Sequence, residues 1–190
     1  TSDLVTCATG TDTGGSVRLP AAYCGLTGLK VSKNYLPTDG IYPLSHTLDT
    51  PGPMARSVAD VALMLAVMRG AEAWAIDQDM KNGQGLFAFQ RASVRGLKLG
   101  IIDNSERQVC DADMLKSYDA AVDRLASLGA EIAVFSAPDR YGDLADANGA
   151  ITIFEGYGYH KALYEVAQNP MDEDVRKRML EPHAGTACWN

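Results

Sequence analysis

A chain of 190 residues with 46% hydrophobic and 22% charged residues is long enough to bury a core and has the composition of a globular protein. Its net charge of −7, without any basic run, excludes a general nucleic-acid surface, because such surfaces depend on clustered Lys and Arg. No apolar stretch approaches the roughly 20 residues that cross a bilayer, so no membrane partner is expected either.

The four cysteines also exclude one class of site. Cys7, Cys24, Cys110 and Cys188 are widely spaced and contain no C-x-x-C pair. Tetrahedral zinc sites group their ligands closely, so no structural metal is expected. Scattered thiols in a chain of this length indicate a reducing compartment, and no signal-like segment follows Thr1. We therefore expect a cytoplasmic protein.

The first quarter of the chain is predicted to form two short strands, separated by a glycine-rich turn and followed by a long loop. Residues 5–8 are small and partly β-branched, which favours a buried strand. Pro20 lacks an N–H, so residues 20–24 are predicted as a single turn. Residues 25–31 form the second predicted strand. Four of the eight prolines lie in residues 35–53, which are predicted as loop throughout.

The clearest helix is predicted over residues 57–68. Ser57 is placed to cap its N-terminus, with Asp60 three residues later as an acidic variant of the capping box. Gly70 follows as a natural stop. Residues 71–93 are expected to form a surface excursion with a short helix.

The second half of the chain contains a strand–helix–strand pattern. Residues 96–102 and 130–135 are predicted strands, and residues 111–128 are an amphipathic helix between them. This is a βαβ unit, so the two strands are expected to pair in parallel. Two more helices and a tail without periodicity are predicted at residues 144–168, 172–180 and 181–190.

These elements predict an α/β fold, with a mixed, largely parallel sheet flanked by helices. Both halves of the chain, before and after about residue 94, are expected to contribute to one sheet in one domain over residues 1–190. The glycine-rich turn follows the first residue with almost no lead-in strand. We therefore expect the chain to be part of a longer domain.

The sequence Gly-Thr-Asp-Thr-Gly-Gly-Ser-Val-Arg-Leu-Pro at residues 10–20 carries the chemistry. Adjacent glycines let a ligand approach the main chain closely, so backbone N–H groups beside Ser16 could form an oxyanion hole next to a nucleophile. A tight structural turn is the default alternative. A P-loop is excluded because Ser16, not Lys, follows Gly15, and Pro20 spoils the long helix of a dinucleotide fingerprint.

The residues around this serine include an ion pair but no recognisable base. Asp12 and Arg18 flank the turn with opposite charges, and we interpret them as a pair that shapes the loop. His46 lies near Asp49 and is a candidate base, although a solvated loop histidine is the favoured interpretation. No lysine is placed beside Ser16 by its spacing. The residues alone thus supply a nucleophile and donors without a base.

Two blocks of the sequence resemble the amidase signature family of serine hydrolases. One is residues 10–30, and the other is Leu-Asp-Thr-Pro-Gly-Pro-Met-Ala-Arg-Ser-Val-Ala-Asp at residues 48–60. They occur in the family's order and at plausible spacing. The resemblance is dense over residues 5–70 and looser over residues 95–180, where it rests on the βαβ layout and the region of Glu155.

The resemblance implies roles for the turn. Ser16 would be the acylating nucleophile, and the backbone N–H groups of Thr13, Gly14, Gly15 and Ser16 would line the oxyanion hole. The family's base is a second serine in a cis peptide, relayed to a lysine, and no serine or lysine here matches those motifs. They would precede Thr1, so the amidase signature fold would be incomplete. No metal or organic cofactor is implied.

Three functions stay open from the sequence. The resemblance favours an amidase that hydrolyses a small-molecule carboxamide through an acyl-Ser16 intermediate, with the isolated chain inactive because its base is missing. A glutamine amidotransferase A-type subunit, which passes ammonia to a partner, is the second interpretation. The third is a non-catalytic α/β remnant that forms a homodimer or otherwise self-associates.

Overall fold

The computed structural model describes residues 4–108, 110–135 and 141–180. The strands in this part of the chain are β1 (Cys7–Asp12), β2 (Thr27–Gly28), β3 (Thr50–Ala55), β4 (Lys98–Ile102) and β5 (Glu131–Phe135). Its helices are α1 (Arg18–Tyr23), α2 (Val58–Met68), α3 (Ala73–Asn82), α4 (Asn104–Arg107), α5 (Ala112–Ser127), α6 (Tyr141–Tyr164) and α7 (Glu173–Leu180), with a 3₁₀ helix over Gly85–Arg91. The predicted lack of periodicity after residue 180 lies outside the described residues.

The chain divides into two compact units, and the first is discontinuous in sequence. Within the described residues, the first unit runs up to Phe87 and resumes at Ala147, and the second unit is Ala88–Asp146. None of the helices in the described residues is both long and apolar enough to span a bilayer.

The first unit contains an antiparallel sheet in the order β1-β3-β2. The register of β1 against β3 runs from Cys7 opposite Ala55 to Asp12 opposite Thr50. The predicted first strand therefore exists, but it is shifted to Cys7–Asp12, which brings the backbone directly into the glycine-rich turn. The prediction that it is buried is wrong for its first half, because Ala8 and Thr9 are exposed. The expected single sheet is wrong for the described strands, because β4 and β5 pair with each other in a second sheet.

The central strand β3 contains Pro51 and Pro53, so the prediction of loop up to residue 53 is wrong. The carbonyl of Pro53 accepts a hydrogen bond from the N–H of Leu29 at 3.1 Å, so the missing N–H of Pro53 lies on the β2 side. Pro51, two residues away, has the same orientation. Because β2 is only two residues long, the N–H groups that the prolines lack would have formed few hydrogen bonds between β3 and β2.

Helix α1 begins at Arg18, so the predicted single turn over residues 20–24 starts too late. Pro20 is the third residue of the helix and lies in the first turn, where N–H groups have no acceptor within the helix. The N–H of Ala21 donates to the carbonyl of Val17 at 3.3 Å. The proline is therefore accommodated without breaking the helix.

Helix α2 confirms the capping prediction. The hydroxyl of Ser57 accepts the N–H of Asp60 at 3.1 Å and donates to its carboxylate at 2.7 Å. Gly70 follows with φ +77°, in the left-handed region that favours glycine. Helix α3 confirms the short helix predicted after residue 70, but the prediction of a surface excursion is wrong, because Ile76 and Phe87 are buried.

Two apolar clusters pack against α2 and form the core of the first unit. One consists of Ala62, Ala66, Ile76 and Phe87, so it joins α2 to α3 and the 3₁₀ helix. In the other, Leu65 packs with Val31 and Leu36 from the loop that precedes β3. Helix α2 thus supports the loop region next to the glycine-rich turn.

The second unit confirms the predicted βαβ pattern. Strands β4 and β5 pair in parallel, with Lys98 opposite Glu131 and Ile102 opposite Phe135. Helix α5 lies between them in sequence, and the side chain of Asp111 caps its N-terminus. The α/β class is therefore confirmed, with the parallel pair in the second unit and antiparallel pairing in the first.

Candidate active site

The glycine-rich turn joins β1 to α1 and leaves Ser16 exposed. It is anchored by Val17, whose side chain is completely buried. Gly15 has φ +136°, a conformation that side chains rarely tolerate. A Cβ at Gly15 would also lie 2.9 Å from Cδ1 of Leu19. The second glycine is thus required by its backbone conformation, and a side chain there would also have to displace the exposed Leu19 side chain.

Asp12 and Arg18 form a two-pronged ion pair across this turn. Asp12 is 1% exposed, and its oxygens accept from Nε of Arg18 at 2.9 Å and from Nη2 at 3.0 Å. The backbone N–H groups of Val17 and Arg18 face the same carboxylate at 3.4 Å. The carboxylate therefore ties the end of β1 to the start of α1.

These contacts keep the pair ionised. Burial works to raise the pKa of Asp12, but the hydrogen bonds and charge of Arg18 and the N–H of Val17 together hold that pKa below its ordinary value. The hydrogen bond to Asp12 in turn raises the pKa of the Arg18 guanidinium. Both groups are charged at neutral pH.

The turn presents unpaired backbone donors around the serine. The N–H groups of Gly14, Gly15 and Ser16 have no acceptor within the described part of the chain. Those of residues 17–19 are paired, with Asp12 or with the carbonyl of Gly15. The arrangement therefore leaves three consecutive N–H groups available to a ligand oxygen.

Thr13, at the start of the turn, is held from two sides. Its hydroxyl donates to Oδ1 of Asp49 at 2.5 Å, and its carbonyl accepts from Nδ2 of Asn148 on α6 at 3.0 Å. A Cβ on the neighbouring Gly14 would lie 2.9 Å from Oδ1 of Asn148. A side chain at the first glycine of the pair would thus have to displace the Asn148 amide.

Asp49 also organises the loop that leads into β3. It is 5% exposed, and its Oδ2 accepts the N–H groups of Leu44 at 2.8 Å and Ser45 at 3.0 Å. Lys33 donates from Nζ to the carbonyl of Asp49 at 2.8 Å. The Asp49 carboxylate consequently joins this loop to Thr13.

Glu155, seven residues after Asn148 on α6, binds the same loop. Its carboxylate accepts from the hydroxyl of Ser45, from Oγ1 of Thr47 at 2.5 Å and from the N–H of Thr47 at 3.1 Å. Burial works to raise the pKa of Glu155, but these hydrogen bonds and the nearby His46 hold it below its ordinary value. One side of α6 therefore supports both the turn and the loop.

No base contacts Ser16 in the part of the chain that the structure describes. His46 places Nε2 3.3 Å from Oε1 of Glu155, and His160 places Nε2 2.7 Å from the carbonyl of Pro43. Among the described residues, no histidine, lysine or carboxylate forms a hydrogen bond with Ser16. His46 is thus directed to Glu155 and not to Ser16.

A cavity of about 440 Å³ lies beside the strand that leads into the turn. Its walls come from residues 9–11 of β1, from Leu36, Pro37 and Ile41 in the loop, and from β3 and α2. The lining is mainly apolar.

Sequence reasoning missed Asn148 as a site residue, and it met Asp49 and Glu155 mainly as parts of resembling segments. Asn148 contacts Thr13 across 135 positions of the chain, and Glu155 contacts Ser45 across 110. The periodicity of neighbouring residues cannot predict contacts between residues so far apart in the sequence. The resemblance of both regions to one family was the available signal.

Comparison with known proteins decides the family. A family model described as Amidase matches residues 1–183. This chain belongs to the amidase family. The A-type subunit of glutamyl-tRNA(Gln) amidotransferase from Methylobacillus flagellatus is 33% identical over 195 residues, covering 93% of this chain and 40% of that protein. An amidase of Pseudomonas putida is 34% identical over 178 residues, covering 89% and 36%.

Solved structures of the amidase family resemble this chain as well. A crystal structure of an amidase matches with a TM-score of 0.74 at 25% identity, over 94% of this chain and 37% of that one. The native peptide amidase from Stenotrophomonas maltophilia matches with a TM-score of 0.63 at 25% identity, over 95% and 37%. The chain spans about two fifths of the length of these relatives.

Proposed function

We propose that the protein containing this chain is an amidase that hydrolyses small-molecule carboxamides with Ser16 as its nucleophile. The observation that carries the proposal is the exposed serine among three unpaired backbone N–H groups, on a turn held by buried contacts. Membership of the amidase family supports the same chemistry.

The reaction uses these groups in two stages. Ser16 Oγ attacks the amide carbonyl carbon while its proton passes to a base, and the carbonyl oxygen becomes an oxyanion. The N–H groups of Gly14, Gly15 and Ser16, with Thr13 as a further predicted donor, stabilise that oxyanion. The C–N bond then breaks, and ammonia or an amine leaves with the proton. Water hydrolyses the acyl-serine ester, releasing the carboxylic acid and restoring the Ser16 hydroxyl.

We also propose that the 190-residue chain alone does not turn over substrate, because no base contacts Ser16 among the residues that the structure describes. A serine-directed fluorophosphonate probe tests both proposals on the isolated chain and on the full protein that contains it. We expect Ser16 to be labelled in the full protein, and labelling to disappear in Ser16→Ala but persist in Ser127→Ala, a serine at the end of α5. Strong labelling of Ser16 in the isolated chain would contradict its inactivity.

A second candidate is an amidotransferase A-type subunit, in which the released ammonia passes to a partner protein. Sequence similarity favours it, because several relatives that share 31–37% identity are A-type subunits of glutamyl-tRNA(Gln) amidotransferase. Affinity purification from the native cell distinguishes the two. Stable copurification of partner proteins in defined stoichiometry would replace the free amidase by this candidate.

A third candidate is a self-associating, non-catalytic α/β protein. Exposed apolar side chains favour it, among them Val134 at 70% and Phe135 at 45% on β5 and Phe154 at 66% on α6. Light scattering on the isolated chain measures the association. A monomer at all concentrations would argue against self-association, and labelling of Ser16 in the full protein would argue against a non-catalytic role.

We propose a cytoplasmic location on the basis of the cysteines. Cys7, Cys24 and Cys110 carry free thiols, and the latter two are exposed, which suits a reducing compartment. Cell fractionation with an antibody to the chain tests this location. Recovery among secreted proteins would contradict it.

A further inference from the structure

The peptide unit between Thr13 and Gly14 links helix α6 to the proposed oxyanion hole. A trans peptide is planar, so its C=O and N–H point in opposite directions. The direction of the Gly14 N–H is consequently fixed by whatever holds the Thr13 carbonyl. Gly14 itself provides little restraint, because glycine samples more backbone conformations than any other residue.

The Thr13 carbonyl is held by Asn148. The side-chain amide donates from Nδ2 to that carbonyl at 3.0 Å, and its Oδ1 closes the space on the same side of Gly14. The Thr13 hydroxyl is fixed separately by Asp49. With the carbonyl directed at α6, the Gly14 N–H is directed away from the helix. A hydrogen bond to a carbonyl also polarises its peptide, which strengthens the N–H as a donor.

We propose that Asn148 is a positioning residue of the acyl-transfer site: by holding the Thr13 carbonyl, it directs the Gly14 N–H at the oxyanion. This inference rests on the proposed function. Asn148 does not touch the reacting atoms and acts only through the peptide. Removing one oxyanion-hole donor outright slows catalysis by about 10²–10³. Misdirecting one is expected to slow the reaction with Ser16 by at least about tenfold.

The matched variants are Asn148→Asp and Asn169→Asp. The first keeps the shape of the side chain but replaces the donor by a carboxylate. The second makes the same change at another amide, whose Nδ2 donates to the carbonyl of Leu163 at 3.3 Å, outside the turn. Asn148→Leu repeats the loss of the donor without adding charge, in case the carboxylate prevents folding.

The first measurement reads the peptide itself. Labelling of the full protein with ¹³C-carbonyl threonine and ¹⁵N-glycine selects Thr–Gly peptides in NMR spectra, and these 190 residues contribute three, at residues 9–10, 13–14 and 27–28. We expect the Asn148 variants to shift only the 13–14 signal and Asn169→Asp to shift none of the three. An unchanged 13–14 signal would overturn the proposal.

The second measurement reads the chemistry, as the rate of fluorophosphonate labelling of Ser16 in the full protein. We expect labelling at least about tenfold slower in Asn148→Asp and Asn148→Leu, with melting temperatures close to that of Asn169→Asp. Wild-type labelling rates in folded Asn148 variants would overturn the positioning role. If wild-type Ser16 is not labelled, the proposed function fails, and the 13–14 signal alone then decides whether Asn148 holds this peptide.

Discussion

Arg18→Ala measures how much the ion pair between Asp12 and Arg18 stabilises the folded protein. It removes the 2.9 Å and 3.0 Å hydrogen bonds from a carboxylate that is 1% exposed and leaves it only two backbone N–H groups at 3.4 Å. Breaking a buried pair from one side costs about 3–5 kcal/mol. The Arg18 side chain is 54% exposed, so water can enter the space that it leaves. We therefore expect Arg18→Ala to lower the free energy of unfolding by about 3 kcal/mol, at the low end of that range.

The cost depends on pH with a definite sign. The pKa of Asp12 is lowered in the folded protein, so the ionised carboxylate stabilises the fold. This stabilisation is complete above the unfolded pKa of about 3.9 and is lost as the pH falls through the folded pKa. In Arg18→Ala, burial acts on Asp12 without the guanidinium, so its folded pKa rises. Protonation then relieves the buried charge, and the deficit against wild type shrinks as the pH is lowered from 7 to 4.

Urea unfolding at pH 7 and pH 4 measures both effects. Lys81→Ala serves as control, because it breaks an exposed i,i+4 pair with Asp77 that is expected to contribute only about 0.3–0.5 kcal/mol. The reasoning is refuted if Arg18→Ala costs no more than Lys81→Ala, or if its deficit is the same at the two pH values.

Two further predictions concern α6. Gly156→Ala places a methyl group 2.7 Å from Met179 and 2.8 Å from Leu44, so we expect it to destabilise the protein. The methyl group of Gly158→Ala meets nothing within 4 Å, so we expect this variant to be more stable than wild type by about 0.5–1 kcal/mol. Thermal unfolding of the two variants compares them directly. Glu155→Gln removes the charge that accepts hydrogen bonds from Ser45 and Thr47, so we expect a loss of about 1–3 kcal/mol and faster proteolysis within residues 35–49, and a cleavage rate equal to wild type would contradict this.

Features encoded by neighbouring residues were predictable from the sequence. The Ser57 cap and the glycine after α2 follow from interactions within a few residues, and the strand–helix–strand pattern of the second unit follows from local periodicity. The serine and glycines of the turn were recognised for the same reason, because their pattern is continuous in sequence. Assigning a role to Ser16 needed the family resemblance as well.

Strand β3 shows where local rules mislead. Prolines count against a central strand, and Pro51 and Pro53 made residues 50–55 look like loop. A proline disrupts a sheet when the neighbouring strand needs the N–H group that proline lacks. Here the strand on that side of β3 is β2, which is only two residues long. Strand pairing, which sequence periodicity does not report, decided the outcome.

The supports of the site were beyond local reasoning for a different reason. Asp49 and Asn148 both reach Thr13, but from 36 and 135 positions away. Nothing in the sequence around an asparagine on a long helix predicts which distant carbonyl its side chain will bind. Contacts of this kind exist only once the chain has folded.

The discontinuity of the first unit has a consequence for synthesis. Asn148 follows Thr13 by 135 residues, and the whole second unit is made between them. At about 5–20 residues per second, translation takes roughly 7–27 s to cover that distance. A nascent chain therefore carries Ser16 for many seconds before α6 is available to hold its turn. Ser16 is synthesised before α6, and the contacts around it are complete only when the ribosome has passed α6.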